Sequence, residues 1–376
     1  MDMKNRILTL GDLHFGIQNK IPTQILCDRV LNRIFPYISK ADLLTINGDI
    51  FHSDMSMTNA SSKALLSFFI QLMTECEKHN TCIRIIRGTV SHDRTQSEHI
   101  PILHKSYGYK FDLKYFDTLM IEYIEALDLK VIYVPDDLPY NSSEEVMSRI
   151  KEMLHQAGWK KVDLILVHGY FQHMLPRGIR TPPKTVYRES QMSKILNPKG
   201  YVLVNHVHTK SIYNKVIGVG SFDRLAHNEE ETKGCFYIDD EVTFIENKDA
   251  TPYLTCDLSK YTDKDICMEK YKKFLETRFV KDVVGYSRVI HGDITVRQIL
   301  QKMTTEYPYL VYSHKASKVD KDTVTHTDDL EIDSELEVVI TKENLPSIAS
   351  NYINNTDAIQ LLSVEEITSL LELNVA

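Results

Sequence analysis

Aspartate and histidine recur close behind the short apolar segments of this chain, and this pattern restricts the folds that it can adopt. The apolar segments are rich in β-branched residues, which is typical of buried strands. The polar motifs that follow them are Gly11-Asp12-Leu13-His14, Gly48-Asp49-Ile50-Phe51-His52, Ser91-His92-Asp93, His168-Gly169 and Asn205-His206-Val207-His208. Ligand sites in open α/β sheets form beyond the carboxyl ends of the strands. We therefore expect these side chains to meet at one edge of a sheet.

Amphipathic segments alternate with the apolar ones, which predicts a layered α/β fold. The predicted strands span residues 6–10, 43–47, 82–86, 162–167, 201–204 and 216–220. Between the first two strands, apolar residues at positions 25, 26, 30, 34, 35 and 38 recur at helical spacing. This spacing predicts a crossover helix that ends near Ser39. A further helix is expected over residues 62–79.

Changes in composition suggest three regions. Glycine becomes less frequent and charged helical segments begin near residue 250, so we assign residues 1–250 to a main domain and 251–342 to a smaller α+β domain. The smaller domain is predicted to contain helices over 263–278 and 295–307, a strand at 286–290, and a polar linker at 317–337. Residues 343–376 regain apolar periodicity, and they either cap the smaller domain or bind a partner.

The composition argues against several classes of protein. A net charge of -8 does not suit a protein that covers nucleic acid by charge alone, although bound cations would reverse the local sign in a metal-dependent nuclease. The N-terminal apolar run is too short for a membrane-spanning helix or a secretion signal, so we expect a cytoplasmic protein without membrane contact. The 6 cysteines form no CxxC pair, which argues against a zinc knuckle.

Aspartates and neutral imidazoles without thiolates suit divalent metals such as Mn²⁺, Fe²⁺ or Zn²⁺. In the segments "DLH" and "HVH", the two outer residues lie on the same face of an extended chain, so each pair can point into one pocket. Each residue alone has a plainer interpretation, because Gly-Asp is a common turn and histidines often only form hydrogen bonds. The joint occurrence of the motifs favours a metal site, and His52 is its weakest member.

The order of these motifs resembles the signature of the calcineurin-like metallophosphoesterases, which runs D-x-H, G-D, G-N-H-D, H and G-H-x-H. The segments "GDLHFG", "GDIFHSD", "NHVHT" and "GSFDRLAHNEEETKGCFYIDD" are similar, more closely, to the SbcD-type DNA repair nuclease subunits, including viral members of that branch. The similarity spans roughly residues 7–247. It implies a β-sandwich metallophosphoesterase core flanked by helices, with a smaller capping domain that contacts DNA and with C-terminal helices.

The resemblance also implies roles for the site residues. It implies two divalent ions, with Mn²⁺ the expected metal. One ion would be held by Asp12, His14 and His208, and the other by His168 and His206, with Asp49 bridging the two. His92 would lie near the phosphate as a general acid or charge stabiliser, oriented by Asp93 or another acceptor, and His52 would help to place the DNA backbone.

Two positions depart from the signature of the family. This chain has Gly88-Thr89-Val90-Ser91-His92-Asp93 where the family has Gly-Asn-His-Asp, which inserts two residues and leaves Ser91 at the place of the amide ligand. A serine hydroxyl is a poorer metal ligand than an amide oxygen. Either Ser91 or a backbone carbonyl reaches the metal, or water replaces the amide, or that metal site is weakened. Asn205 stands where the family has glycine, which removes no ligand.

The function that the resemblance implies is that of a Mn²⁺-dependent DNA exonuclease and endonuclease subunit. It would hydrolyse phosphodiester bonds through a metal-activated water in recombination, repair or DNA processing. The resemblance further implies a homodimer in the cytoplasm, or in the host cytoplasm for a viral member. An SbcC-like ATPase of the SMC class would dock on the C-terminal helices. The chain has no Gly-x-x-x-x-Gly-Lys-Ser/Thr motif, so any ATP dependence would come from that partner.

A Pro-rich loop after His168 is a candidate DNA contact. It contains the basic residues Arg177, Arg180, Lys184 and Arg188 together with the aromatic residue Tyr187. Such a loop can follow a phosphate backbone with an affinity that falls as salt rises. The alternative is an ordinary solvated loop.

Two other functions compete with a DNA nuclease. A phosphatase or nucleotide phosphodiesterase of the same superfamily would share the motifs but would not need the C-terminal extension. A catalytically weakened member that acts as a scaffold is the third hypothesis. The serine at position 91 favours the scaffold slightly, and the retention of every other ligand argues against it.

Overall fold

The computed structural model describes residues 5–17, 21–55, 60–175, 183–291 and 296–316. Its strands are β1 Ile7–Leu10, β2 Leu43–Asn47, β3 Cys82–Ile86, β4 Leu113–Phe116, β5 Met120–Ile124, β6 Leu129–Val134, β7 Val162–His168, β8 Tyr170–Phe171, β9 Val186–Tyr187, β10 Leu196–Asn205, β11 Ser211–Tyr213, β12 Val216–Gly218, β13 Gly234–Ile238, β14 Val242–Glu246, β15 Tyr253–Asp257, β16 Gly285–His291 and β17 Leu310–Ala316. Its α-helices are α1 Thr23–Ile38, α2 Ala60–His79, α3 Val90–Asp93, α4 His99–Tyr107, α5 Ser143–Gln156, α6 Glu189–Met192, α7 Lys264–Arg278 and α8 Val296–Glu306.

Two large mixed sheets form the main layers of the structure. One has the strand order β14-β13-β1-β2-β3-β4, and the other has the order β11-β12-β10-β7-β6-β5. The buried core between them contains residues of both sheets: Ile7, Leu43 and Ile86 from the first, and Leu166, Leu203 and Ile217 from the second. The other faces of both sheets are covered by helices, which gives the layered α/β fold predicted from the sequence.

The alternation of side chains along each strand explains this layering. In β1, Ile7 points into the core between the sheets, whereas Leu8 packs with α1 and α2. Leu43 and Leu44 of β2 divide between the same two cores. Because successive side chains of a strand point to opposite faces, a strand that is buried on both sides reads as a continuous apolar run. This accounts for the uninterrupted apolar segments in the sequence.

Parallel pairing places the candidate site at one end of the strands. In the first sheet β1, β2 and β3 run parallel to one another, and in the second sheet β7 pairs in parallel with both β6 and β10. Asn205 at the end of β10 lies opposite His168 at the end of β7. The carboxyl ends of neighbouring parallel strands therefore lie side by side, as the sequence analysis expected.

A smaller parallel sheet, β15-β16-β17, packs with α7 and α8. It has its own apolar core, which includes Tyr271, Val289 and Met303. Helix α7 begins after Asp263, whose side chain accepts hydrogen bonds from the backbone N–H groups of Asp265 and Ile266, an N-cap. The predicted helices and strand of this region are confirmed, and the domain boundary at residue 250 stays a prediction. The predicted linker at 317–337 and the segment 343–376 lie outside the described residues.

One helical residue is placed differently from the prediction. Ile25 was expected on the apolar face of the crossover helix, but 44% of its surface is exposed. The buried face of α1 instead includes Leu26, Cys27 and Ile34. Cys27 occupies a position on this buried face, and Ile25, two residues earlier, points to solvent.

No helix in the described part of the chain is long and apolar enough to cross a membrane.

The core between the sheets can be tested at Leu203, which is fully buried between the partner residues Leu166 and Ile217. We expect Leu203→Ala to lower the free energy of unfolding by about 2–5 kcal/mol, because it removes buried methyl groups and leaves a cavity. Chemical denaturation would measure the change. Ile212→Ala on the exposed edge strand β11 is the control, with an expected change within about 0.5 kcal/mol. Equal effects of the two substitutions would contradict this packing.

Candidate metal centre

The turns that follow β1 and β2 hold three of the candidate ligands in an unusual backbone conformation. Asp12, His14 and Asp49 have φ angles of 46°, 46° and 50°, in the left-handed region that residues other than glycine seldom adopt. Such strain costs on the order of 1–3 kcal/mol per residue and is typical of functional sites. The two turns support each other, because the N–H groups of Leu13 and His14 both donate to the carbonyl of Asp49, at 2.8 and 3.0 Å.

Gly88, after β3, allows a third turn to approach Asp49 closely. A Cβ atom at this position would lie 2.1 Å from the backbone nitrogen of Asp49 and 2.2 Å from its carboxylate oxygen. Only glycine fits such an approach between backbones. The turns after β1, β2 and β3 are thereby packed into one compact edge.

The structure brings the predicted ligands into two adjacent groups. One group contains Asp12, His14 and His208, and the other contains Asp49, His168 and His206. Within each group the potential ligand atoms lie within 4.8 Å of one another. His14 also belongs to a third group, with His52 and His92. The edge of the sheets therefore carries aspartate and histidine groups that could hold a metal ion, as predicted.

Asp49 lies between the two main groups. Its Oδ2 atom is 3.7 Å from Nε2 of His14 in one group and 3.4 Å from Nε2 of His168 in the other. This position suits a carboxylate that is shared by both groups.

Hydrogen bonds fix which ring nitrogen of two histidines is available. Nδ1 of His168 lies 2.8 Å from the carbonyl oxygen of Asn47, and Nδ1 of His208 lies 2.6 Å from Oε1 of Glu229. Both oxygens can only accept, so in each ring Nδ1 carries the proton. In the neutral form of each ring, Nε2 then has a free lone pair, which is the form of histidine that binds metals.

The two aspartates of the site are buried without a lysine or arginine partner among the described residues. Asp12 is fully buried and Asp49 is 2% exposed, and among the described residues neither forms an ion pair with lysine or arginine. Burial of a carboxylate without a compensating positive charge is costly. Protonated histidines are the charged partners of Asp49 among the described residues. When such a histidine loses its proton, a bound metal ion can supply the positive charge instead.

The pKa values show how strongly these groups interact. Burial opposes ionisation of Asp49, but the positive charge of His168 outweighs it and lowers the pKa of the carboxyl well below its usual value. Burial likewise opposes the charge on His168, yet attraction to Asp49 raises the pKa of the imidazole to about 10. Burial and the neighbouring His208 lower the pKa of His14. Nε2 of His14 is buried and lacks a hydrogen-bond partner, as expected for an atom reserved for a ligand.

The hydroxyl group at the site belongs to Thr89, a residue that the sequence analysis did not select. Its Oγ1 lies 3.3 Å from Oδ2 of Asp49, 3.4 Å from Nε2 of His168 and 3.3 Å from Nδ1 of His206. Its backbone N–H also donates to Oδ1 of Asp49 at 2.6 Å. Ser91, proposed at this place from the spacing, is instead exposed on α3.

The short helix α3 explains the difference. Val90–Asp93 form this helical turn, so Ser91 lies on the helix, whereas Thr89, which follows Gly88 directly, lies before it and contacts Asp49. Counting back from the His-Asp pair selected Ser91, whereas counting forward from the glycine would have selected Thr89.

Of the two alternatives for orienting His92, Asp93 or another acceptor, the structure shows another acceptor, and Asp93 has contacts of its own. Its buried carboxylate accepts hydrogen bonds from four backbone N–H groups, those of Gly88 at 2.7 Å, Ile50 at 2.9 Å, Asp49 at 3.0 Å and Phe51 at 3.2 Å. Burial and the Asp49 carboxylate raise its pKa to about 6, against the effect of these donors. Asp93 thus joins the turns after β2 and β3, and no hydrogen bond between its carboxylate and the imidazole of His92 is found among the described residues.

His92 is oriented by a backbone carbonyl. Its Nδ1 lies 2.5 Å from the carbonyl oxygen of His52, which fixes the proton on Nδ1. Its ring contacts that of His14 edge to face, with 4.7 Å between the centroids. His52 itself lies beside the site, with its Nδ1 atom 3.4 Å from Nδ1 of His14. The structure therefore places both His92 and His52 beside the candidate ligand groups.

Asn205 and Glu229 are further site residues whose roles the sequence did not reveal. Asn205, noted only as a departure from the glycine of the family, is buried and donates to Oδ2 of Asp12 at 3.0 Å, which holds that carboxylate in place. Glu229 contacts His208 and lies in the segment "GSFDRLAHNEEETKG", which was recognised without a role for the acid.

The predicted DNA-contacting loop is described only in part. Arg177 and Arg180 lie outside the described residues, whereas Lys184 and Arg188 are exposed. Tyr187 is only 3% exposed and packs in the core beside Phe171, so it cannot stack on a base. The sequence grouped Tyr187 with the basic residues, but β9 turns its ring inward.

Comparisons with known proteins leave the family open. No protein-family model matches the chain, and no curated protein matches it. Among solved structures, the protein TT1561 of Thermus thermophilus is similar with 10% identity and a TM-score of 0.36, over 64% of this chain and 99% of that one. A second solved structure has 11% identity and a TM-score of 0.38, over 65% of this chain and 100% of the other. Likenesses at this level do not support a function.

The choice between Thr89 and Ser91 can be tested by metal binding. We expect Thr89→Val to weaken the binding of a divalent metal ion about tenfold, because it removes the hydroxyl beside Asp49 and keeps the shape of the side chain. Ser91→Ala should leave the affinity unchanged. Isothermal titration calorimetry of the full chain would measure both. If only Ser91→Ala lowered the affinity, the hydroxyl that supports metal binding would be that of Ser91.

Proposed function

We propose that this chain is a metal-dependent phosphodiesterase that cleaves DNA. The observation that carries the proposal is the pair of adjacent ligand groups with the buried Asp49 carboxylate between them and His92 beside them. The order of the motifs along the sequence supports the same function. We extend the proposal to a nuclease subunit that acts in the cytoplasm as a homodimer with an ATPase of the SMC class. That extension follows from the sequence resemblance alone.

The donor set suits two divalent cations, with Mn²⁺ as the proposed metal. Asp12, His14 and His208 would hold one ion and His168 and His206 the other, with Asp49 shared and Thr89 adjacent to the second. Carboxylate oxygens and imidazole nitrogens without thiolate favour metals of intermediate hardness. When bound, such a pair of ions supplies positive charge for phosphate oxygens and lowers the pKa of water.

His92 is proposed to hold or donate a proton at Nε2. The carbonyl oxygen of His52 retains the proton on Nδ1, so the ring cannot exchange its two nitrogens without losing that bond. Nε2 is the remaining position that can gain or lose a proton. A well-placed acid of this kind contributes around 10²–10⁴-fold to a reaction in which an oxygen leaves.

Asp93 and Asn205 are proposed to keep the ligands in place. Asp93 holds the turns after β2 and β3 together through backbone N–H groups, and Asn205 holds the carboxylate of Asp12. Ligands that are fixed in this way need little rearrangement when a cation binds.

The substrate class can be tested by comparing three substrates. We propose to incubate the full chain and Mn²⁺ with linear duplex DNA, a nucleotide phosphodiester and a phosphoprotein. Cleavage of DNA supports the proposal, whereas hydrolysis of only the small ester or the phosphoprotein indicates another enzyme of the superfamily. Mn²⁺ binding without hydrolysis of any of them indicates a scaffold.

His92→Ala is expected to abolish DNA cleavage while Mn²⁺ and DNA still bind, because the proposal assigns this imidazole to the leaving oxygen and assigns the two ions to other residues. Cleavage of labelled duplex DNA and calorimetry with Mn²⁺ would be measured on the same preparation. His99→Ala, at an exposed position on α4, is the matched control and should cut at the parental rate. Parental cleavage by the His92 variant would refute its assigned role.

The basic loop can be tested through the salt dependence of DNA binding. If Lys184 and Arg188 contact phosphates, changing both to glutamate should make the negative slope of log K against log salt shallower by about 2. Fluorescence anisotropy at several salt concentrations measures this slope. Lys151 and Lys160, which are also basic and lie outside the loop, provide a double variant with the same change in charge. Equal slopes for the two double variants would show that the loop makes no specific contact.

A further inference from the structure

The buried Lys233 and the mostly buried Glu229 form an ion pair that contacts the candidate ligand His208. Oε1 of Glu229 lies 2.6 Å from Nδ1 of His208, and Oε2 lies 3.0 Å from Nζ of Lys233. Oε2 also accepts the backbone N–H of Leu225 at 3.2 Å. The carboxylate is thus held from both oxygens.

Lys233 explains how the acid keeps this position. Only 1% of its side chain is exposed, which is costly for an ammonium group unless acceptors surround it. Its acceptors are Oε2 of Glu229, Oε1 of Glu231 at 2.7 Å and the carbonyl oxygen of His208 at 3.0 Å. The lysine therefore binds both the acid and the main chain of the histidine that the acid contacts.

Glu229 and Lys233 contribute no atom to the proposed ligand groups, yet they decide how His208 is presented. A histidine that is free to rotate can offer either ring nitrogen in either tautomer. A histidine whose Nδ1–H is held by a carboxylate offers only Nε2, and the carboxylate also makes that nitrogen more basic.

We infer that Glu229 is a positioning residue for the metal centre, which fixes His208 so that Nε2 faces Asp12 and His14, with Lys233 holding the carboxylate in place. This inference rests on the proposed function, because it assigns His208 to one of the two ions.

Binding of Mn²⁺ alone to the full chain tests the inference. Glu229→Gln leaves one acceptor oxygen, which cannot serve His208, Lys233 and Leu225 together. We expect the affinity for one ion to fall about 10- to 100-fold and the affinity for the other ion to stay unchanged. Glu231→Gln is the matched control, because Glu231 also pairs with Lys233, and we expect it to bind both ions like the parent.

A second measurement separates positioning from a general loss of stability. Histidine ¹⁵N chemical shifts report which ring nitrogen carries the proton. We expect His208 to be protonated on Nδ1 in the parent and in Glu231→Gln, and to become a mixture of tautomers in Glu229→Gln. A purely structural role of Glu229 would lower the melting temperature and leave these signals unchanged.

The double variant Glu229→Gln with Lys233→Met covers the case in which the single variant fails to fold. It removes both charges of the pair together, so neither Glu229 nor Lys233 is left as a charge without the other, and the same selective loss of one ion is expected. If the parent binds two ions and both variants bind them with parental affinity, the inference is overturned and the proposed function stands. If the parent binds no Mn²⁺, both are overturned.

Discussion

The burial of Asp12 and Asp49 at the junction of two sheets is the constraint on which the rest of the site depends. Neither carboxylate has a lysine or arginine partner among the described residues, so the surrounding histidines have to balance their charge. A site in which imidazoles neutralise buried carboxylates is suited to bind cations, because an imidazole that loses its proton becomes a metal ligand. The proposed chemistry follows from this electrostatic arrangement rather than from the shape of a pocket.

The backbone is arranged to support these carboxylates. The turns that carry Asp12 and Asp49 adopt left-handed conformations that would not persist in isolation. They persist because the two turns share hydrogen bonds, because Asp93 accepts N–H groups from the turns after β2 and β3, and because Gly88 permits the close approach. The surrounding sheets thus stabilise turns with a strained backbone, which is common where ligands bind.

Histidine orientation is the link from this edge to function. His168, His208 and His92 each have Nδ1 bound to an oxygen acceptor, supplied by Asn47, Glu229 and His52 respectively. The same device therefore prepares two candidate ligands and one candidate acid. What differs between them is the group that Nε2 faces, and this depends on where the segment that carries each histidine lies in the fold.

The sequence alone determined the set of aspartates and histidines behind the apolar segments, together with part of the fold, because periodicity and residue type are local properties. The predicted elements that the structure contains are β1, β2, β3, β7, β10, β12, β16, α1, α2, α7 and α8. The sequence did not determine which hydroxyl reaches the site, since Val90–Asp93 form a helical turn that carries Ser91, whereas Thr89 lies before it and contacts the site. The contacts of Asp93, Asn205 and Glu229 were also hidden. Each depends on atoms that are distant along the chain and are brought together only when the two sheets pack, and this packing is a property of the tertiary structure.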